Sequence, residues 1–201
     1  MSLREKKAKK TRKRIFDEAL QLFKRDGFEQ TTVEAIAEAA EVSLSTLYRY
    51  FPGKDQILLD TFSADDKDFG ASFSRHLVNL PVEEALAEAI LEFAKWQDAN
   101  AEEILLVRSL IDQAPSVRAK LFDVSNQHLQ SLSARLAEKL HLPENDLQVE
   151  LSARLVISTI NATVAEQWRA SAGKFSSIEY AKQAMRMFEE HKVLLPRQAT
   201  R

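Results

Sequence analysis

Cysteine is absent from the sequence. That excludes disulfides and thiolate metal sites, and it fits a reducing compartment. Glycine and proline are scarce, 4 and 5 in 201 residues, so little of the chain can be given to tight turns. Sustained alternation of β-branched residues is missing too. Together these shortages predict an all-α protein. No apolar run approaches the roughly 18–20 residues that span a bilayer, and the first residues are charged, unlike a secretory signal. The expectation is a cytoplasmic chain with no membrane partner. Catalytic signatures are missing as well: there is no GxGxxG, P-loop, GxSxG or HExxH pattern. The four histidines, His76, His128, His141 and His191, are scattered, and the carboxylates read as solvated helix faces. No catalytic residue, metal site or cofactor is expected, and the chain is not read as an enzyme.

What is present is unevenly distributed charge. The net charge is −2, which by itself does not point to nucleic acid. Yet residues 1–54 carry 12 basic and 8 acidic side chains, and residues 1–14 carry 8 basic and 1 acidic. Phosphate binding needs such local cation density. A solvated, mobile tail is the competing reading of a lysine run, and residues 1–10 are expected to be mobile.

The stretch Thr31–Lys54 follows that run and reads as two short helices joined by a tight turn. Thr31 and Glu34 have capping-box spacing, which places a helix start near 32–33. Val33, Ile36, Ala37 and Ala40 give that helix an apolar face. The helix breaks at Glu41–Val42, Ser43 can cap the next one, and Pro52 stops it. In the second helix, 44–50, Leu47 points inward with Phe51 just beyond its end, leaving Ser45, Thr46, Tyr48 and Arg49 outside. Small hydroxyls, an aromatic and an arginine on an exposed helix over an apolar support suit a DNA major groove.

These residues also carry a resemblance. Thr32-Val33, Ile36-Ala37, Val42-Ser43, Thr46-Leu47-Tyr48, Tyr50-Phe51 and Lys54 resemble the DNA-binding domain of the TetR family of transcriptional regulators, in register over roughly residues 9–69. Glu41 departs from it, standing where the family usually has glycine, and Ser45 replaces a position that is often glycine, alanine or proline. The resemblance implies a homodimeric repressor that binds a palindromic double-stranded DNA operator and releases it when a small, largely apolar effector enters the C-terminal domain. The expected domains are a helix-turn-helix head at 9–69, with its motif at about 32–51, and a helical effector and dimer domain at 70–196. The competing class is a helical small-molecule-binding or adaptor protein with no role in transcription.

The expected DNA contacts follow from position. Tyr48 and Lys54 are phosphate ligands, and Thr32 offers a hydroxyl and an amide to phosphate. Ser43, Leu44, Ser45 and Thr46 sit at the front of the second helix, where base edges are reached. Arg49 can contact either base or phosphate. The competing role for Tyr48 is packing against a neighbouring helix.

Farther along, helices are expected at about 11–25, from Lys54 to the mid-seventies, and at 82–99, 101–113, 115–140, 144–172 and 176–192. Phe62, Phe93, Trp96, Leu110, His128, Asn161 and Trp168 are candidates to line an effector cavity, although aromatics at helical spacing are commonly plain core. The helix over 144–172 is apolar on nearly all sides around 151–165, so a single domain cannot bury it entirely. Leu155, Ser158, Thr159, Ala162 and Thr163 are therefore read as a dimer surface, with a central helix of a monomer as the alternative.

Overall fold

Helix formation begins well before the sequence pattern predicts. The Ser2 hydroxyl accepts from the Glu5 amide at 3.2 Å, and the Glu5 carboxylate accepts from the Ser2 amide at 2.8 Å. This reciprocal cap starts α1 at Leu3, and the helix runs to Asp26. The expectation of a mobile residue 1–10 segment is thus corrected for residues 2–10, Met1 lying outside the described residues: lysine and arginine are good helix formers, and a cap fixes the first turn. The structure is a computed structural model that describes residues 2–63 and 68–193, with backbone alone at 162–164.

Next come α2 (Val33–Ala39), α3 (Leu44–Tyr50) and α4 (Lys54–Ser63). They are followed by α5 (Phe69–His76), α6 (Val82–Ala99), α7 (Ala101–Gln113) and α8 (Pro115–Leu140). Then come α9 (Leu147–Thr159), a π-helical segment (Ile160–Ala165), α10 (Glu166–Ala170) and α11 (Ser177–Glu189). Among the described residues there is no strand. Two long helices expected from the sequence are divided. The helix opening at Lys54 stops at Ser63, and a separate one starts at Phe69, where Asp68 caps it by accepting from the Ala71 amide at 3.1 Å. The helix expected over 144–172 is α only to Thr159, then passes through the π-helical segment. Apolar periodicity does not show a locally widened turn, because the widening is a change of backbone hydrogen-bond partner rather than of side-chain order.

The chain packs as two compact units that are not contiguous in sequence: Met1–Asp65 with Glu102–Asn126, and Asp66–Ala101 with Gln127–Arg201. In the first, the predicted stripe of α1 (Ile15, Phe16, Ala19, Leu20, Leu22 and Phe23) is buried against Ile36, Leu47, Phe51, Ile57 and Leu58. Val107 and Ile111 of α7 and Val117 of α8 complete this core, and Lys120 of α8 pairs with Asp55 of α4.

In the second unit, Phe73, Ala85, Ala89, Ala94, Leu132, Leu136, Val149, Ala153 and Ile157 form the core. Helices α5 and α8 approach closely at one point: a Cβ on Gly70 would lie 2.3 Å from Ser131 Oγ and 2.7 Å from the Ser131 backbone. Glycine alone fits this crossing. Asp98, near the end of α6, caps α11 from outside: its carboxylate accepts from the Ser176 hydroxyl at 2.6 Å and the Ser177 amide at 2.7 Å.

Candidate nucleic-acid interface

The head is held by its loops. Gly27, with φ 86°, ends α1, and its amide donates to the Phe23 carbonyl at 3.0 Å. Phe28 then folds back to put its ring 5.1 Å from that of Phe23. The next cap differs by one position from the sequence reading. Thr32, not Thr31, caps α2, its hydroxyl accepting from the Ala35 amide at 3.1 Å. Thr31 is buried and donates its hydroxyl to the Gly27 carbonyl at 2.8 Å. One threonine therefore closes the first helix and its neighbour opens the second.

Between α2 and α3 the chain turns through Glu41 with φ 50°. A side chain in this left-handed region costs roughly 1 kcal/mol or more relative to glycine. The turn forms despite that, because the Val42 amide donates to the Ala37 carbonyl at 2.9 Å. Helix α3 is only 7 residues long, too short to persist unaided in water. Its support is tertiary. Leu47 and Phe51 are fully buried, and burying each such side chain is worth roughly 1.5–3 kcal/mol.

The front of α3 is a chain of hydroxyls. Ser43 Oγ accepts from the Thr46 amide at 3.2 Å and donates to Thr46 Oγ1 at 2.9 Å, while Ser45 Oγ lies 3.0 Å from Ser43 Oγ. Leu44 and Tyr48 are exposed, Tyr48 at 49 %, which removes the competing packing role for its ring. Thr32, Ser43, Ser45 and Arg49 are exposed as well, and Thr46 half-buried. The Arg49 guanidinium lies 5.4 Å from the Tyr50 ring centroid. The structure thus brings Ser43, Leu44, Ser45, Thr46, Tyr48 and Arg49 onto one short solvent-facing helix.

Lys54 is placed differently from the sequence expectation. Its Nζ donates to the carbonyls of Phe28 at 2.8 Å, Glu29 at 3.1 Å and Thr31 at 3.3 Å, and sits 4.6 Å from the Phe28 ring centroid. An ammonium has three donors, and all three brace the loop between α1 and α2. A phosphate could bind Lys54 only by displacing these bonds.

Arg12 was not among the sequence candidates. Its guanidinium pairs with Asp60 of α4, donates to the Tyr50 carbonyl at 3.3 Å and lies 4.6 Å from the Phe51 ring centroid. It satisfies an orphan carbonyl at the end of α3 and fixes that end between α1 and α4. Its partners are 38 and 48 residues away in sequence, so local pattern carries no trace of them.

The effector candidates are dispersed. Leu110 is buried and Phe62 half-buried in the first unit, where the Arg108 guanidinium lies 5.5 Å from the Phe62 ring centroid. In the second unit Phe93 and Trp96 pair at 5.4 Å, and Trp168 is fully buried. His128 Nδ1 lies 3.9 Å from the Asp68 carboxylate, and Asn161 is exposed. Of the expected dimer residues, Leu155 and Ser158 are exposed, while Thr159 is buried and donates to the Leu155 carbonyl at 2.7 Å. The side chains of Ala162 and Thr163 lie outside the described residues. Leu147 and Leu151, on the same face of α9 as Leu155, are 70 % and 59 % exposed.

The family model for bacterial regulatory proteins of the tetR family matches residues 15–61, and the model described as the MftR C-terminal domain matches 80–192. The HTH-type transcriptional regulator TcmR of Streptomyces glaucescens is 28% identical over 176 residues, covering 83% of this chain and 76% of TcmR. The HTH-type transcriptional repressor KstR of Rhodococcus jostii is 42% identical over 57 residues, 28% of this chain and 27% of KstR. Among solved structures, Thermus thermophilus FadR, a TetR-family transcriptional repressor in complex with lauroyl-CoA, is 25% identical with a TM-score of 0.60. That match covers 94% of this chain and 98% of FadR.

Proposed function

Since this chain belongs to the TetR family of transcriptional regulators, we propose that it is a repressor acting as a homodimer on a palindromic operator, released by a small, largely apolar effector. The observation that carries the DNA reading is α3: a hydroxyl-fronted helix presented to solvent by buried Leu47 and Phe51 and tied at its end by Arg12. In a helix-turn-helix the first turn of the second helix reaches base edges. Leu44 then meets a thymine methyl, and Ser45 and Thr46 exchange their side-chain hydrogen bonds to the Ser43 hydroxyl for base or phosphate oxygens. Tyr48 and Thr32 contact phosphate.

Dimerisation is supported by the apolar stripe Leu147, Leu151 and Leu155 on α9, exposed in the single chain at a spacing of four residues. Effector binding is supported by the similar repressor FadR, whose structure holds lauroyl-CoA. An effector can move the protein off DNA only by its difference in affinity for the two states. The test is a salt-titrated gel shift on DNA upstream of the protein's own gene, followed by selection from a randomised pool. The expected result is a defined palindrome for wild type, with Leu44→Ala relaxing preference at one or two symmetric positions. Equal affinity for all sequences would refute the reading.

A further inference from the structure

The cations of α1 fall into two groups. Arg12 pairs with Asp60, Lys13 with Asp17, and Arg14 lies 3.8 Å from Glu41. Arg4, Lys6, Lys7, Lys9 and Lys10, nearer the N-terminus, have no ion pair among the described residues. Of these, Arg4 and Lys7 share a face with Ala8 and Thr11, at the i, i+3, i+4, i+7 spacing of one helical stripe. Farther along α1 the same stripe is Ile15, Ala19 and Leu22, which the head buries. Toward the N-terminus, the stripe meets the end of α3. There Arg4, Lys7 and Thr11 line an open groove of about 620 Å³ together with Arg49 and Tyr50. Three cations from two helices converge on it, and no carboxylate lines it. Like charges facing one another across a groove repel, and an anion seated between them would relieve that repulsion.

The position of the groove selects the anion. Arg49 lies four residues beyond Ser45, about 6 Å along the helix axis. The major groove is about 12 Å wide, so a helix whose first turn reaches base edges near the middle carries a side chain one turn farther on, such as Arg49, to the phosphate wall. We propose that this groove seats a phosphodiester of the operator backbone, clamped between α1 and α3 by Arg4, Lys7 and Arg49. The proposal rests on α3 being the recognition helix, and it gives Arg49 the phosphate role where sequence left base and phosphate open. It also gives the Ser2–Glu5 cap a purpose. Arg4 and Lys7 are held on a formed helix, so binding does not have to order a flexible arm.

The experiment uses the full-length protein and selected operator duplexes carrying a single uncharged methylphosphonate, moved one phosphate at a time through the half-site and its flank. Wild type is expected to lose affinity at one symmetry-related phosphate in particular. Arg4→Ala with Lys7→Ala, and separately Arg49→Ala, should lose nothing further there while staying sensitive elsewhere. Each removed contact should flatten the slope of log affinity against log salt by about 0.9 per subunit, with sequence preference unchanged. The charge-matched pair Lys6→Ala with Lys10→Ala, outside the groove, should keep the sensitivity at that phosphate. If the groove variants remain as sensitive as wild type at every phosphate, or if Arg49→Ala relaxes base preference, the clamp is wrong and the operator reading stands. If wild type selects no sequence at all, the operator reading fails and the clamp falls with it.

Discussion

Lys54 shows how a side chain expected at an interface can be spent inside the protein. Its ammonium is shared among three loop carbonyls over the Phe28 ring, so Lys54→Met should destabilise the DNA-free protein by roughly 1–3 kcal/mol, the range for losing hydrogen bonds to a charged group. Urea unfolding without DNA measures this directly. A pure phosphate ligand would leave that stability untouched and lower only DNA affinity. Glu41 is the opposite case, a residue that costs stability where it stands. With φ 50° and an exposed side chain, Glu41→Gly should raise stability by about 0.5–1 kcal/mol, the relief of left-handed strain less the entropy glycine adds to the unfolded chain. Thermal melts decide the sign; an unchanged or lower midpoint would mean that the 3.8 Å pair with Arg14 outweighs the strain.

Between elements, the second unit depends on two local arrangements around α5. Gly70 lets α5 lie against the Ser131 backbone, and Gly70→Ala forces the two helices apart. The expected cost is about 1–3 kcal/mol, as for other overpacked sites, seen as a lower urea midpoint. On the α5–α6 side, Glu92 accepts from the Ser72 hydroxyl at 2.6 Å, Arg75 at 2.6 Å and His76 Nε2 at 3.0 Å. Burial alone would raise the Glu92 carboxyl, but these bonds and the Arg75 charge together hold it below its ordinary value of 4.5. A depressed carboxylate adds stability above the unfolded-state value, and loses it as pH falls through the folded value. Wild type should therefore outlast Glu92→Gln in thermal melts near pH 7, and the difference should shrink as pH drops below about 4.5. A gap that stays constant into acid would remove Glu92's charge from the explanation.

For the whole molecule, the proposed dimer depends on α9. The stripe Leu147, Leu151 and Leu155 leaves three large apolar side chains in water on a single chain, and such clustered exposure marks an interaction face. Light scattering at micromolar concentration should give about twice the 22.8 kDa of the chain. Leu151→Glu, placed on a face already exposed within the chain, should yield a folded monomer with unchanged helical content and much weaker operator binding, because the two half-sites are no longer read together. A wild-type monomer would remove both the dimer and the palindrome from the account.

The sequence by itself determined the helical class, the inward stripe of α1, the Gly27 stop, the Ser43 cap and the outward face of α3. Each is a periodic or capping signal contained within a turn or two of chain, which is the range over which side chains on one helix touch one another. Only the tertiary structure decided which threonine caps α2, that Lys54 braces a loop, and that Arg12 secures the end of α3 through Asp60 and the Tyr50 carbonyl. The two threonines are neighbours of one type, so local pattern does not separate them; Lys54 and Arg12 depend on partners tens of residues away, and a charged side chain has the same local pattern whether it ends on a carbonyl, a carboxylate or water. The same holds for the π-helical segment after α9 and for the basic groove between α1 and α3: one is a choice of backbone hydrogen bonds, the other a meeting of two helices, and neither changes the order of apolar and polar residues along the chain.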